Sequence, residues 1–112
     1  MIDGYVFGTI SINGDTFNND VEARWNGDVL KWKRKDPHSI SLSDLEPALG
    51  QSPEVIYLGT GYDGTVRINE GVADGLKEKN IELIANKTNL ITQEFNIAVY
   101  SKKKAIGLFC LN

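Results

Sequence analysis

The sequence is poor in the residues that most often carry chemistry or disulfide bonds. Its 112 residues include one cysteine, one histidine and one methionine. A single cysteine, Cys110, excludes an intramolecular disulfide and is typical of proteins from a reducing compartment. The lone histidine, His38, has no cluster of cysteine or carboxylate residues around it at the spacing of metal ligands, so no metal site is expected.

Long apolar runs and an excess of basic residues are also absent. No run approaches the roughly 20 apolar residues that a membrane-spanning helix needs, and no signal-peptide pattern precedes the first polar residues. The formal net charge is −3, whereas nucleic-acid-binding domains normally carry a basic surface. We therefore expect a soluble, cytoplasmic protein that binds neither a membrane nor nucleic acid.

The overall amino-acid composition is ordinary for a globular protein. Hydrophobic residues make up 41% of the chain and charged residues 24%. A chain of this length matches one domain and is long enough to bury a substantial core. Residues 1–112 are accordingly predicted to form a single domain.

The first third of the chain predicts antiparallel strands. Residues 5–12, 20–25 and 29–33 alternate between apolar and polar side chains, as half-buried strands do. Asn-Gly pairs at 13–14 and 26–27 tolerate positive φ and therefore predict tight turns. The pattern indicates a three-stranded meander. Val6, Ile10 and Ile12 are predicted to share one face of the first strand. Val21, Ala23 and Trp25 are predicted to form the buried face of the second.

The rest of the chain predicts alternating strands and helices. A short helix at 41–49, capped by Ser41 or Ser43 and limited by Pro47, precedes an apolar strand at 55–58. A strand at 65–68, a helix at 70–80, a strand at 81–85, a helix at 89–100 and a strand at 105–111 follow. This order is typical of right-handed parallel crossovers. The predicted class is therefore α/β, a meander joined to a βαβαβ unit, with the two longer helices on one side.

The inward faces of the two longer helices follow from their spacing. The first is expected to bury Val72, Ala73 and Leu76, and the second Leu90, Ile91, Phe95, Ala98 and Val99.

A glycine-rich turn follows the apolar strand at 55–58. Gly59, Gly61 and Gly64 spell the G-x-G-x-x-G pattern of dinucleotide sites. Such sites need a helix directly after the glycines and an acidic residue after the next strand. Here a strand-like segment follows, and Asn86-Lys87 occupies the acidic position. A tight turn explains the glycines better, and no cofactor is expected.

The same turn is still a candidate binding loop. Gly59-Thr60-Gly61 lies at the carboxyl end of a predicted parallel strand, where α/β proteins usually bind ligands. Exposed amides there could receive an anion or the carboxylate of a partner, and a purely structural turn is the alternative.

Specific roles are also predicted for four other residues. Thr88 is predicted to cap the last helix. Asn96 falls on the apolar side of that helix and needs a partner, either the backbone of a neighbouring segment or a group in a pocket. His38 is expected to have a structural or capping role. Cys110 is expected to be an inert core residue.

Several motifs together resemble a known family of small uncharacterised single-domain proteins from archaea and bacteria. Its relatives include the adipogenesis-associated domain protein and the mitochondrial complex I assembly factor of the same fold. The resemblance covers nearly the whole chain. It is carried by Phe7-Gly8, Asp20-Val21, Trp32, Arg34, His38, Pro53-Glu54, Gly59-Thr60-Gly61, Thr88 and Phe95-Asn96.

The resemblance implies a three-layer α/β/β domain with mixed sheets, no established catalytic activity, and assembly or regulatory roles. This sequence departs from the family pattern at Ile91, where a small residue is usual. It also departs at Lys102-Lys103-Lys104, which replace a stretch centred on arginine.

Two functions of different class are compatible with these patterns. One is a non-enzymatic binding or assembly module that engages a protein through the loop at 59–63. The other is an enzyme or small-anion binder, with the Gly59-Thr60-Gly61 amides, Arg34, His38 and Asn96 around one cleft. Exposed strand edges also make a homo-oligomer possible.

Overall fold

The computed structural model describes residues 1–112 as ten strands and three short or medium helices with one 3-10 turn. The strands are β1 (Ile2–Val6), β2 (Thr9–Ile12), β3 (Asp15–Phe17), β4 (Val21–Arg24), β5 (Val29–Lys31), β6 (Ser39–Ile40), β7 (Val55–Thr60), β8 (Arg67–Ile68), β9 (Glu82–Asn86) and β10 (Ala105–Cys110). The helices are α1 (Glu46–Leu49), α2 (Val72–Glu78) and α3 (Thr88–Tyr100), and the 3-10 turn is Leu42–Leu45.

A small antiparallel sheet begins the chain, in the order β1-β2-β3. The single strand predicted at 5–12 is wrong, because the chain reverses at Phe7 and Gly8, where Gly8 has a φ of 81°. Val6 therefore pairs with Thr9 and is 65% exposed, whereas Ile10 and Ile12, predicted to share its face, are buried. The Asn13-Gly14 turn is confirmed, with φ of 50° and 86°.

The main sheet has five strands in the order β5-β4-β10-β7-β9. The predicted meander is thus divided, because β4 and β5 leave the first sheet and β4 pairs antiparallel with β10. β7 pairs parallel with both β10 and β9, so the predicted βαβαβ unit is confirmed. Alternating strand patterns do not specify which sheet a strand joins, and this partition depends on contacts far apart in sequence.

The two longer helices lie on opposite faces of the main sheet, and the prediction that they share one side is wrong. Phe95 of α3 packs with Val55 and Tyr57 in a core that also includes β1 and β2. Leu76 of α2 packs with the alternate residues of β7 in a second core. The reason is the strand order. Across the sheet, the connection from β7 to β9 moves to the neighbouring strand on one side, and the connection from β9 to β10 moves in the opposite direction, past β7. Because both connections are right-handed, their helices lie on opposite faces.

Some local predictions hold and others do not. The segment at 41–49 is a 3-10 turn followed by α1, with a capping box between Ser41 and Asp44 and a proline in the first turn of α1. Ala73 and Leu90, predicted to face inward, are exposed, because each lies at the edge of the buried stripe of its helix.

The predicted strand at 65–68 shortens to the two residues of β8. They pair in parallel with β6, a strand too short to show any sequence pattern. None of the helices has the length and apolar composition needed to cross a bilayer.

Candidate functional site

The glycine-rich turn at the end of β7 is packed tightly against its surroundings. A Cβ atom on Gly59 would lie 2.6 Å from Thr88 Oγ1 and 3.1 Å from Ile91 Cγ2. Gly61 has a φ of 97°, and a Cβ there would lie 2.6 Å from the carbonyl oxygen of Asn112. Both glycines are therefore needed for close approach or for backbone geometry, as a tight turn requires.

The third glycine of the nucleotide pattern has a local explanation too. Gly64 has a φ of 70°, and its amide donates to the carbonyl of Gly61. No helix begins until Val72, so the strand–turn–helix arrangement that positions a pyrophosphate is absent.

Thr88 lies beneath this turn and connects three segments. Its hydroxyl accepts the N–H of Gly61 at 3.0 Å and donates to the carbonyl of Cys110 at 2.6 Å. The side chain is fully buried. The predicted capping role is wrong, because α3 begins at Thr88 and its hydroxyl joins β7 to β10 instead. The Gly61 amide is consequently occupied and does not point to an anion.

Asn96 pairs with the backbone of Ile2 in β1. Its Oδ1 accepts the N–H of Ile2 at 2.7 Å, and its Nδ2 donates to the carbonyl of Ile2 at 2.8 Å. Of the two predicted alternatives, the structure selects the backbone partner. The amide side chain fastens α3 to the first strand and lies outside the cleft described below.

Replacing Asn96 with leucine should therefore free the start of β1. We expect a loss of about 1–3 kcal/mol in the free energy of unfolding, because two backbone groups of Ile2 lose their partner. Urea titration measures this loss, and amide hydrogen exchange should show that the Ile2 N–H becomes unprotected. Gln93→Leu, an exposed position of the same helix, is the control. Unchanged exchange at Ile2 would contradict the assignment.

Arg34 holds the connection between β5 and β6 against the end of the main sheet. Its Nη2 lies 2.8 Å from Asp20 Oδ2, and its Nη1 donates to the carbonyls of three residues between 36 and 39. The guanidinium carbon lies 5.3 Å from the centre of the Trp32 ring, within cation–π range. Asp20 Oδ1 in turn accepts the N–H of Leu111 at 2.9 Å. One guanidinium atom, Nε, is buried without a partner.

A cavity of about 400 Å³ opens at the carboxyl end of β10, which pairs in parallel with β7. We call it the Arg34 cleft. Residues that line it include Phe7, Asp20, Arg34, His38, Val66 and Cys110. It brings together residues that lie far apart in the sequence. Four of them also carry the family resemblance: Phe7, Asp20, Arg34 and His38.

The Arg34 cleft collects only some of the predicted site residues. Arg34 and His38 both line it. The His38 N–H donates to Asp36 Oδ1 at 2.8 Å, and this bond lowers the pKa of Asp36. Thr60 and Thr88 are buried in the turn below, and Asn96 lies against β1.

Exposed apolar side chains form a patch at the rim of the cleft. This rim patch consists of Phe7 and Tyr62. Phe7 is 60% exposed and Tyr62 is 47% exposed, and their rings meet edge to face at 6.0 Å. Tyr5 lies behind them, with its ring 6.5 Å from that of Tyr62 and its hydroxyl donating to the carbonyl of Leu111.

Sequence reasoning missed the rim patch because Phe7 was assigned to a strand. Two features of the sequence do indicate exposed aromatic side chains. One is a phenylalanine directly before a turn glycine, and the other is a tyrosine inside a polar glycine-rich loop.

Cys110 lies in the wall of the cleft, and burial raises the pKa of its thiol to about 12 from an ordinary 9.0. We expect Ellman's reagent to label the folded protein very slowly at pH 8 and the urea-unfolded protein rapidly, because the thiolate is the reactive form. The folded state holds the proton more tightly than the unfolded state. Stability should therefore fall as the pH rises from about 9 to 12. Equal labelling rates in both states would contradict this prediction.

The fold and the cleft together define a class: a small mixed α/β protein with a cavity at the carboxyl end of strand β10. Residues 2–110 match the model of a family described as "Protein of unknown function (DUF498/DUF598)". The chain belongs to this family. The resemblance to a small uncharacterised family inferred from the sequence is thereby confirmed. No curated protein matches the chain.

Solved structures share the whole fold at low sequence identity. A conserved hypothetical protein from Pyrococcus horikoshii OT3 is 18% identical, with a TM-score of 0.89 over 100% of this chain and 98% of that chain. A protein from Bordetella parapertussis is 23% identical, with a TM-score of 0.81 over 100% and 95%. A Bordetella pertussis protein described as a Mth938-like domain is 18% identical, with a TM-score of 0.77 over 99% and 85%. These similarities establish the mixed α/β fold.

Proposed function

We propose that this protein is a non-enzymatic binding module that engages another protein through the rim patch and the loop at 59–63. The observation that carries the proposal is the exposed pair of Phe7 and Tyr62. Aromatic side chains are enriched in protein interfaces, and clustered exposed apolar residues mark interaction sites more often than single ones do.

The patch rests on a rigid base, which favours a binding role. Tyr62 directly follows Gly61, whose N–H and carbonyl both bond to Thr88. A contact surface held in place before binding loses less conformational entropy when a partner arrives. The resemblance to assembly factors favours a partner-binding role. The single free cysteine, Cys110, is typical of proteins from a reducing compartment such as the cytoplasm.

The alternative, an anion site or enzyme centre built on the Gly59-Thr60-Gly61 amides, has less support. The Gly61 amide already donates to Thr88, and Asn96 is occupied by Ile2. Of the four components expected around one cleft, Arg34 and His38 line the same cavity.

Site-specific photo-crosslinking in the source cells tests the proposal. A benzoylphenylalanine residue at position 62 should give a defined adduct with one protein, and the adduct should disappear with Phe7→Ser. The control places the crosslinker at position 100, because Tyr100 is exposed on α3 away from the patch. The proposal fails if positions 62 and 100 give the same adducts or if the Phe7→Ser variant crosslinks like the parent.

A further inference from the structure

The free edge of β5 is a second surface on which another protein can bind. We propose that an extended acidic segment of a protein partner joins the main sheet there as an added strand next to β5. The segment that fits best alternates acidic and apolar residues. This surface shares no residue with the rim patch, so the inference does not rest on the proposed function.

The backbone of β5 has unpaired groups along its outer side, because β5 is the last strand at one edge of the main sheet. Its ladder with β4 uses the carbonyl of Asp28 at one end and the N–H of Trp32 at the other. Since antiparallel ladders alternate, the N–H and carbonyl groups of Val29 and Lys31 point away from β4. No loop or turn of the protein bonds to these four groups. They are therefore free to pair with an added strand, as in other cases of strand addition at a sheet edge.

Open space surrounds this edge. Two cavities, of about 760 and 400 Å³, share the residues Lys31, Trp32 and Lys33. The larger one extends toward the 3-10 turn and α1, and the smaller one extends toward residues 18–20 and Asn112. An extended chain therefore has room beside β5.

The charges left unpaired along the edge are mostly positive. The larger cavity is lined by three carboxylates and four cations. Ion pairs within the protein occupy Glu22 and Arg34, and Asp44 accepts bonds from the residue before the 3-10 turn. The smaller cavity adds Asp20, which is the partner of Arg34, and three uncharged asparagine residues. The charged groups without a partner are three cations and one carboxylate, namely Lys31, Lys33, Lys35 and Glu46. This balance favours an acidic ligand.

The side chains of β5 and the residues after it define the sequence pattern of the ligand. Lys31 and Lys33 are exposed and lie two positions apart, so on an extended chain they project from the same face. Leu30 and Trp32 project from the other face, where Leu30 is 38% exposed and Pro47 lines the same cavity. A residue opposite either lysine meets a cation, and the residue between those two meets apolar surface. An acidic–apolar–acidic segment satisfies all three positions.

A second copy of this chain is a poorer occupant of the edge. Two β5 strands related by a two-fold axis would bring lysines to both sides of the new ladder, and like charges opposite each other are destabilising. Lysines on an edge strand are a common means of preventing such self-pairing. They do not oppose a strand of the opposite charge.

Nitrogen-15 NMR of the backbone amides tests the edge, with the capped peptide Thr-Glu-Val-Glu-Val-Glu-Thr as the probe. We expect the N–H signals of Val29 and Lys31 to shift and saturate as the peptide is added. Their hydrogen exchange should also slow, because both groups gain a partner. The same peptide with glutamine in place of each glutamate should bind at least about tenfold more weakly, because the cross-strand charge pairs are lost.

Two sets of variants separate charge from backbone pairing. Lys31→Glu with Lys33→Glu should weaken binding at least about tenfold. Lys77→Glu with Lys103→Glu makes the same charge change at exposed positions elsewhere and should leave the affinity unchanged. Lys31→Pro removes the outward N–H, leaves the bonds to β4 in place and should abolish binding. Lys31→Gln loses the same charge but keeps the N–H, so it should only weaken binding.

Four results would overturn the proposal. They are the absence of a saturable shift at Val29 and Lys31, equal affinity for the glutamine peptide, equal affinity of folded Lys31→Pro and Lys31→Gln proteins, and protection of these amides in the free protein that rises with its concentration. The last result would identify a second copy as the occupant. Retention of the fold is verified from the dispersed amide spectrum of each variant. Phe7→Ser should bind the peptide like the parent, which separates this edge from the rim patch.

Discussion

Replacing Thr88 with valine should lower the free energy of unfolding by about 2–5 kcal/mol. Valine has nearly the same shape as threonine, so the loss comes from hydrogen bonding and not from a cavity. The substitution leaves the Gly61 N–H and the Cys110 carbonyl without partners in a fully buried site. Each unsatisfied buried group costs about 1–3 kcal/mol, and here two groups are affected at once.

Urea unfolding followed by circular dichroism measures this effect. The matched control is Thr92→Val, one turn further along α3. Thr92 is also largely buried, but its hydroxyl has no protein partner and keeps some contact with solvent, so its replacement should be close to neutral. If the two variants lose the same stability, the bridge from β7 to β10 through Thr88 is not important for folding.

Replacing Gly59 with alanine should cost about 2–3 kcal/mol, in the upper part of the range for overpacked cores. The added Cβ would lie 2.6 Å from Thr88 Oγ1 and 3.1 Å from the Thr88 Cα, distances that force α3 away from β7. The hydroxyl cannot rotate away without breaking its bonds to Gly61 and Cys110. The measurement is again the urea midpoint, with the transition slope used to check that unfolding stays cooperative.

Gly4→Ala is the control for this substitution. Gly4 also lies in a strand, but a Cβ there meets nothing within 4 Å, so a change within about 0.5 kcal/mol is expected. The clash also predicts coupling: Gly59→Ala should cost less in a Thr88→Ala background, where the obstructing hydroxyl is gone. Additive losses would show that the two positions do not interact.

These two residues give the glycine-rich turn a structural role. Its amides and glycines serve the junction of β7, β10 and α3. The surfaces next to it that are open to other molecules are the rim patch and the Arg34 cleft. In the proposed partner-binding function, the turn would serve mainly to hold Tyr62 in position.

Much of the fold was predictable because it depends on local patterns. The segments 55–58 and 105–111 are almost wholly apolar, as strands buried on both faces are, and β7 and β10 are found at these positions. The Asn13-Gly14 turn and the parallel crossovers were predictable for the same reason.

The candidate site was less predictable. Arg34 and His38 were selected from the sequence and do share a cleft, but Thr88 and Asn96 proved to be internal links. Phe7 and Tyr62 lie 55 positions apart, and nothing local indicates that their rings touch.

By itself the sequence determined the class of the fold, the type of most elements and the absence of a catalytic or nucleotide-binding motif. Only the tertiary structure decided which sheet each early strand joins, on which face each helix lies and which polar side chains are used internally. The physical reason is the sequence separation between the residues that interact. Periodicity and turn chemistry act between near neighbours in the chain. The bond between Asn96 and Ile2 spans 94 residues and that between Thr88 and Cys110 spans 22. Such pairings form only when the strand order brings their elements together.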